Sequence, residues 1–190
     1  IGTQMLAKGH HFDNITLVGI IDADMGLAGG DLRAGERTFQ LLHQVMGRAG
    51  RAQKKGEGYI QSYQPDNLII QALRENNRGR FIEEEIASRQ LLKMPPFGRL
   101  ASLIITGPNQ VVTHQVAQKI VKMAPSHKDI DILGPTPAPI HFLRGKYRFR
   151  VLVKTSADIK VQNMLGAWLK NAVIPNGVDV RVDINPYSFF

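Results

Sequence analysis

The sequence predicts an α/β chain in two parts: a parallel sheet with helices, followed by a separate α+β domain. Three observations predict it. Residues 15–21 form an almost unbroken apolar, β-branched run, which suits a strand buried on both faces of a parallel sheet. From residue 99 onward, the periodicity reads strand, helix, strand, strand, helix, strand. Charge also divides between the parts. Of the net +8 over 190 residues, residues 1–97 hold 12 basic and 11 acidic side chains, a net of +1. Residues 98–190 hold 12 basic and 5 acidic, a net of +7. The break falls at Pro95-Pro96, and the predicted division is 1–75, a connecting helix within 76–97, and 98–190.

The first strand, 15–21, ends in Asp22-Ala23-Asp24, where a Gly-rich loop begins and runs to Gly35. Open α/β sheets place ligand contacts at the carboxyl ends of their strands, which marks Asp22 and Asp24. A helix is predicted over 36–51, because Phe39, Leu42, Met46 and Ala49 recur at three- and four-residue spacing. A short strand at 58–63 follows, then helices at 67–75 and 80–93. Glu83, Glu84 and Glu85 lie near the start of the last, where acids suit the helix dipole.

In the second part, strands are predicted at 100–106, 130–133, 146–154 and 178–184, with helices at 111–123 and 159–173. Gly134-Pro135 closes the short second strand, and Pro137-Ala138-Pro139 reads as an edge or loop, since proline donates no ladder hydrogen bond. This βαββαβ order matches the ferredoxin-like arrangement, with both helices on one sheet face. The strand at 146–154 alternates cleanly. Tyr147, Phe149, Val151 and Val153 share one face; Lys146, Arg148 and Arg150 share the other. Residues 144–154 hold Arg144, Lys146, Arg148, Arg150 and Lys154 and no acid. On an open sheet face these would track nucleic-acid phosphates; the alternative is charge that guards the sheet against edge pairing. Trp168 reads as core.

Composition narrows the function classes. An apolar content of 43% with 21% charged residues excludes a wholly disordered chain. No apolar run approaches the roughly 18 residues of a membrane span, so no membrane partner is expected. The absence of cysteine removes disulfides and thiolate metal sites, and six scattered histidines, His10-His11 apart, form no ligand set. That pair reads as loop packing. A chain that opens on Ile1 reads as a piece of something longer.

The sharpest signal lies at 44–51. At about 100° per residue, Gln44, Arg48 and Arg51 fall within a wedge of about 60°, opposite Phe39, Leu42 and Met46. Gly47 and Gly50 leave that face clear of bulk. Two guanidiniums on a clear face suit a polyphosphate; the alternative is a solvated basic helix end.

Gln44-Val45-Met46-Gly47-Arg48-Ala49-Gly50-Arg51 resembles the Q-x-x-G-R-x-G-R motif VI of superfamily 2 helicases. Gly2-Thr3-Gln4-Met5-Leu6-Ala7-Lys8-Gly9-His10-His11-Phe12 resembles motif V in the form G-T-Q-M-x-x-K-G-x-x-F. With Asp22-Ala23-Asp24, the run from Arg33 to Leu42, Met94-Pro95-Pro96-Phe97 and Val182-Asp183-Ile184-Asn185-Pro186, the ordered set resembles one family across nearly the whole chain. It is the primosomal protein N-prime family of bacterial replication-restart DNA helicases. Two stretches depart from that pattern: Gly29-Gly30-Asp31-Leu32-Arg33, and Asn185 in place of an acid.

The resemblance implies that the first half is the carboxyl-terminal portion of a RecA-like second helicase lobe. Arg48 and Arg51 would be arginine fingers toward ATP bound on the first lobe, with Gln44 sensing the nucleotide. Asp22, Asp24, Gly47 and Gly50 would couple to it. Gly2, Thr3, Gln4 and Lys8 would lie along DNA. ATP and Mg²⁺ would be held mainly by residues outside this chain, and zinc by a Cys-rich insertion ahead of motif V. No G-x-x-x-x-G-K-[ST] loop or Asp-Glu-x-His box occurs, so the chain alone is expected to hydrolyse no ATP and to need no cofactor. Forked and single-stranded DNA, primosome proteins and the acidic tail of single-stranded DNA-binding protein are the implied partners. Lys160 and Gln162 are candidates for the tail, with Asp158 opposing it. The implied location is the bacterial cytoplasm, at the nucleoid. Two other classes stand beside this reading: a non-catalytic nucleic-acid and protein-binding module, and a small regulatory domain for a metabolite.

Overall fold

The computed structural model describes residues 15–27, 32–49 and 56–186. The chain divides into two compact units, Ile1–Glu85 and Ile86–Phe190.

In the first unit, strand β1 (Leu17–Ile20) pairs in parallel with β2 (Glu57–Ile60), Leu17 opposite Glu57 and Ile20 opposite Ile60. A 3₁₀ turn (Ala23–Gly26), helix α1 (Ala34–Met46) and helix α2 (Leu68–Arg74) complete its regular structure, together with the start of α3 (Arg78–Leu91). Asn67 caps α2, its side-chain oxygen accepting from the Ile69 amide at 2.9 Å. Phe39 and Leu42 of α1 pack with Ile69, Ile70 and Leu73 of α2 and with Phe81 of α3. The Phe39 and Phe81 rings stack, with centroids 4.2 Å apart and planes 5° from parallel.

Three expectations are corrected here. The strand at 15–21 is not buried on both faces among the described residues: Val18 is buried, but Leu17 is 62% and Ile21 82% exposed. Helix α3 starts at Arg78, so Glu83, Glu84 and Glu85 sit mid-helix and no acid occupies its first turn. Glu84 is supported laterally instead, since Arg80 Nε donates to it at 3.0 Å from one turn before. Helix α1 stops at Met46, five residues short of the predicted end. There the hydrogen bonds tighten to the i−3 carbonyl, Arg48 to Val45 at 3.0 Å and Ala49 to Met46 at 3.1 Å.

The second unit is a four-stranded antiparallel sheet in the order β4-β5-β3-β6. Strand β3 (Gly98–Gly107), helix α4 (Gln110–Lys122), β4 (Ile130–Leu143), β5 (Lys146–Ser156), helix α5 (Val161–Lys170) and β6 (Asp179–Ile184) follow one another in the order read from the sequence. Both helices pack on one face. Leu103, Ile105, Val151 and Val153 from the sheet meet Val116, Ile120, Leu165 and Trp168 from the helices. That is the core.

Strand β4 is the exception to the sequence reading. Rather than ending at Leu133, it continues to Leu143 through all three prolines, with register shifts between Leu133 and Thr136 and between Pro137 and Phe142. Its place at the edge explains this, because one side of the strand needs no N–H donors. Among the described residues no helix is long and apolar enough to cross a membrane.

Candidate nucleic-acid interface

Strand β5 positions the basic residues, and its period of two sorts them. Phe149, Val151, Val153 and Thr155 are buried toward the helices. Lys146, Arg148, Arg150 and Lys154 therefore lie on the opposite face, as the alternation predicts. Across β3, Arg148 stands opposite Thr106 and Arg150 opposite Ile104; across β6, Arg181 is in register with Ile104. Arg181 was not singled out by the sequence, because only the strand order brings it beside this row.

The same register brings acids. Asp131 of β4 is opposite Lys154, and β6 places Asp179 and Asp183 on this face. Lys146 Nζ donates to Asp179 at 2.7 Å, and Lys154 Nζ lies 3.1 Å from Asp131. Hydrogen bonding to Lys146 holds the Asp179 carboxyl below its ordinary range. The uniformly basic face expected from residues 144–154 is thus corrected to a mixed one, with both lysines balanced by carboxylates. Arg148 and Arg150 stand between the two lysines on this face, and Arg148 Nη1 lies 3.5 Å from the Ile140 carbonyl. Burial pushes the Arg150 guanidinium below its ordinary value, and the like charge of Arg148 adds to it. An anion on this face would offset the like charge that Arg148 places beside Arg150.

Arg144 lies at the hairpin apex. Arg144 and Gly145 form the two-residue loop between β4 and β5, both at positive φ (51° and 77°), as a primed hairpin turn requires. The Arg144 side chain is exposed.

In the first unit the predicted residues are partly assembled. Gln44 is exposed on α1. Gly47 is the residue that ends the helix, and Arg48, half-buried, follows it in the tightened turn. Arg48 is therefore aimed by that turn and not by the helical wedge expected from 100° spacing. Asp22 takes a left-handed conformation (φ 54°, ψ 63°) ahead of the 3₁₀ turn. Asp24 is committed within the unit: its carboxylate accepts from Ser62 Oγ at 2.7 Å and from the Tyr63 amide at 2.6 Å. It ties the carboxyl end of β1 to that of β2, a positioning role the sequence did not reveal. Gly2, Thr3, Gln4, Lys8, Gly50 and Arg51, with His10 and His11, lie outside the described residues. Among the described residues no group of three or more metal-ligating side chains is brought together.

Residues 90–187 match the family model described as "Primosomal protein N C-terminal domain". The chain is 45% identical over 190 residues to the replication restart protein PriA of Rickettsia felis, covering 100% of this chain and 29% of that protein. It is 39% identical to the protein of the same name from Synechocystis, covering 99% of this chain and 23% of that protein. For Bacillus subtilis the figures are 35%, 98% and 24%. The chain thus spans less than a third of the length of these curated relatives. Since the matched region takes in the whole four-stranded sheet with both its helices and just over half of the residues, the chain belongs to the primosomal protein N C-terminal domain family.

Proposed function

We propose that the chain is the carboxyl-terminal part of an ATP-dependent 3'-5' DNA helicase that restarts stalled replication forks by recognising forked DNA and initiating primosome assembly. The observation that carries the DNA-binding part is the pair Arg148 and Arg150 on the open face of β5, side by side and mutually repulsive. The restart role rests on the names of the relatives. In this reading the first unit is a portion of a RecA-like lobe, consistent with its parallel strand pair and the acids beyond β1. The second is a ferredoxin-like domain, consistent with its strand order. Arg48, a guanidinium at a glycine-marked helix end, fits a phosphate of ATP held elsewhere in the longer protein, with Gln44 and Arg51 beside it in the motif.

The chain by itself acts as a binding module. For an acidic protein tail, such as that of single-stranded DNA-binding protein, the best-supported place is the groove between α4 and residues 171–175. Val112, Val116, Ile120, Met123 and Val173 line it, Lys119 and Lys122 rim it, and no carboxylate enters the lining. Lys160 and Gln162 lie at the other end of α5, with Asp158 two residues before Lys160.

The test is binding of the 190-residue chain to forked and single-stranded DNA across salt concentrations. Reversing Arg148 and Arg150 to glutamate is expected to weaken binding at least about tenfold at low salt and to flatten the log–log salt slope by about 2. The neutral pair Arg148→Gln and Arg150→Gln should lie between. Asp179→Asn releases Lys146 and should strengthen binding by about two- to threefold. Affinity indifferent to all of these at low salt would reject the face as a DNA contact.

A further inference from the structure

The β4–β5 hairpin ends in two paired rungs, Phe142 with Tyr147 and Leu143 with Lys146, closed by Arg144-Gly145. On the helix-facing side its rings form a continuous row. His114 of α4 lies 4.9 Å from Phe149, Phe149 5.2 Å from His141, His141 5.6 Å from Tyr147, and Tyr147 4.8 Å from Phe142. The inner end is covered, with Phe149 buried. The outer end is not: Phe142 is 55% exposed, the most exposed aromatic among the described residues of this unit.

Folding uses only part of a ring in this place, since more than half of its surface stays exposed. Its cross-strand neighbour nevertheless braces it, so that it presents a fixed aromatic surface at the rim of the sheet. Charge adds a second, independent feature. Arg144 is exposed at the apex two residues on, Lys146 follows the turn, and no acid occurs between residues 132 and 156. Asp131 and Asp183 stand away from the tip, whereas Asp179 reaches it from β6 and pairs with Lys146 at 2.7 Å, so the positive charge offered at the apex is that of Arg144.

We propose that the hairpin tip is a stacking site for one unpaired DNA base. Phe142, backed by Tyr147, takes the face of the base, and Arg144 takes the adjoining phosphate. The inference rests on the reading of β5 as a DNA contact surface and adds a preference to it. Phosphate tracking by Arg148 and Arg150 accepts single or double strands alike, whereas a ring platform requires a base free of its duplex stack. Every base has a π face, so the site is tolerant of sequence. It suits the point where a duplex gives way to a single strand.

The experiment compares a single-stranded oligonucleotide with the same sequence in duplex form, using the full 190-residue chain. Phe142→Ala is expected to weaken single-strand binding about tenfold and to change duplex binding by less than about twofold, with Phe142→Trp restoring the difference. Unchanged circular dichroism and melting temperature of both variants show that the fold is intact. If Phe142→Ala leaves single-strand affinity unchanged while the Arg148 and Arg150 reversals weaken both ligands, the stacking site is overturned and the β5 face stands. If those reversals also change nothing, the face itself is rejected. Equal loss on both ligands, or no rescue by tryptophan, would likewise overturn stacking at Phe142.

Discussion

Replacing Trp168 with alanine is expected to lower the unfolding free energy of the second unit by about 4 kcal/mol, and replacing it with phenylalanine by about 1–2 kcal/mol. The indole is 6% exposed and sits among Val116, Ile120 and Leu165, so truncation removes a large buried surface and opens a cavity. It has a second function. Its Nε1–H donates at 2.9 Å to the carbonyl oxygen of Ile120, in the last turn of α4, where i+4 amides run out. One side chain of α5 thereby adds a second donor to a carbonyl that already accepts from the Met123 amide at 3.1 Å, and ties the two helices together. Phenylalanine keeps most of the packing and leaves that carbonyl with less than its full complement of donors, hence the smaller loss. Denaturant unfolding of the chain, followed by circular dichroism, separates the terms. A loss below about 1 kcal/mol for alanine would show that neither packing nor the hydrogen bond at Trp168 supports this unit.

How far this fold can be read from the sequence depends on what sets each feature. The alternation in 146–154 and the helical spacing in 111–123 are local, and both appear in β5 and, one residue earlier, in α4. Features set by assembly are not visible locally. Gly134-Pro135 looks like the end of a strand and Pro137-Ala138-Pro139 like an edge or loop, because proline and glycine break a central strand; the edge position of β4 bears out the edge reading and carries the strand through Gly134-Pro135 as well. The run at 15–21 states what burial would favour, not what is present to cover it, and Leu17 and Ile21 stay exposed among the described residues. Helix α1 is shorter than its periodicity. Apolar periodicity argues for continuation to residue 51, yet the helix ends at Gly47, since glycine's conformational entropy makes it a weak helix interior and a ready terminus.

The candidate site divides in the same way. The arginines of β5 are legible because neighbouring positions in one strand alternate by rule. The carboxylates beside them are not, since Asp179 reaches Lys146 from 33 residues away through a register that only the folded sheet defines. The aromatic row is hidden for the same reason, drawing His114 from a helix and His141 and Phe142 from an irregular edge strand. Asp24 lies beyond the carboxyl end of β1. Its hydrogen bonds to Ser62 and Tyr63 assign it to holding that end together.

In the longer protein that this chain belongs to by proposal, Arg48→Ala is expected to lower DNA-dependent ATP hydrolysis about 10³-fold, while DNA binding through the second unit is retained. The side chain leaves the chain just after Gly47, where α1 has ended and the last turn has tightened. A cation there faces the negative end of the helix dipole, which favours it in the resting state at a cost of roughly 0.3–1 kcal/mol to remove. That is too small to account for a thousandfold effect. A loss of that size therefore reports stabilisation of charge developing on the transferred phosphoryl group. Arg48→Lys should recover little, because an ammonium offers no planar fork for two phosphate oxygens. Turnover within about tenfold of the parent for Arg48→Ala would mean that this arginine only closes the helix end.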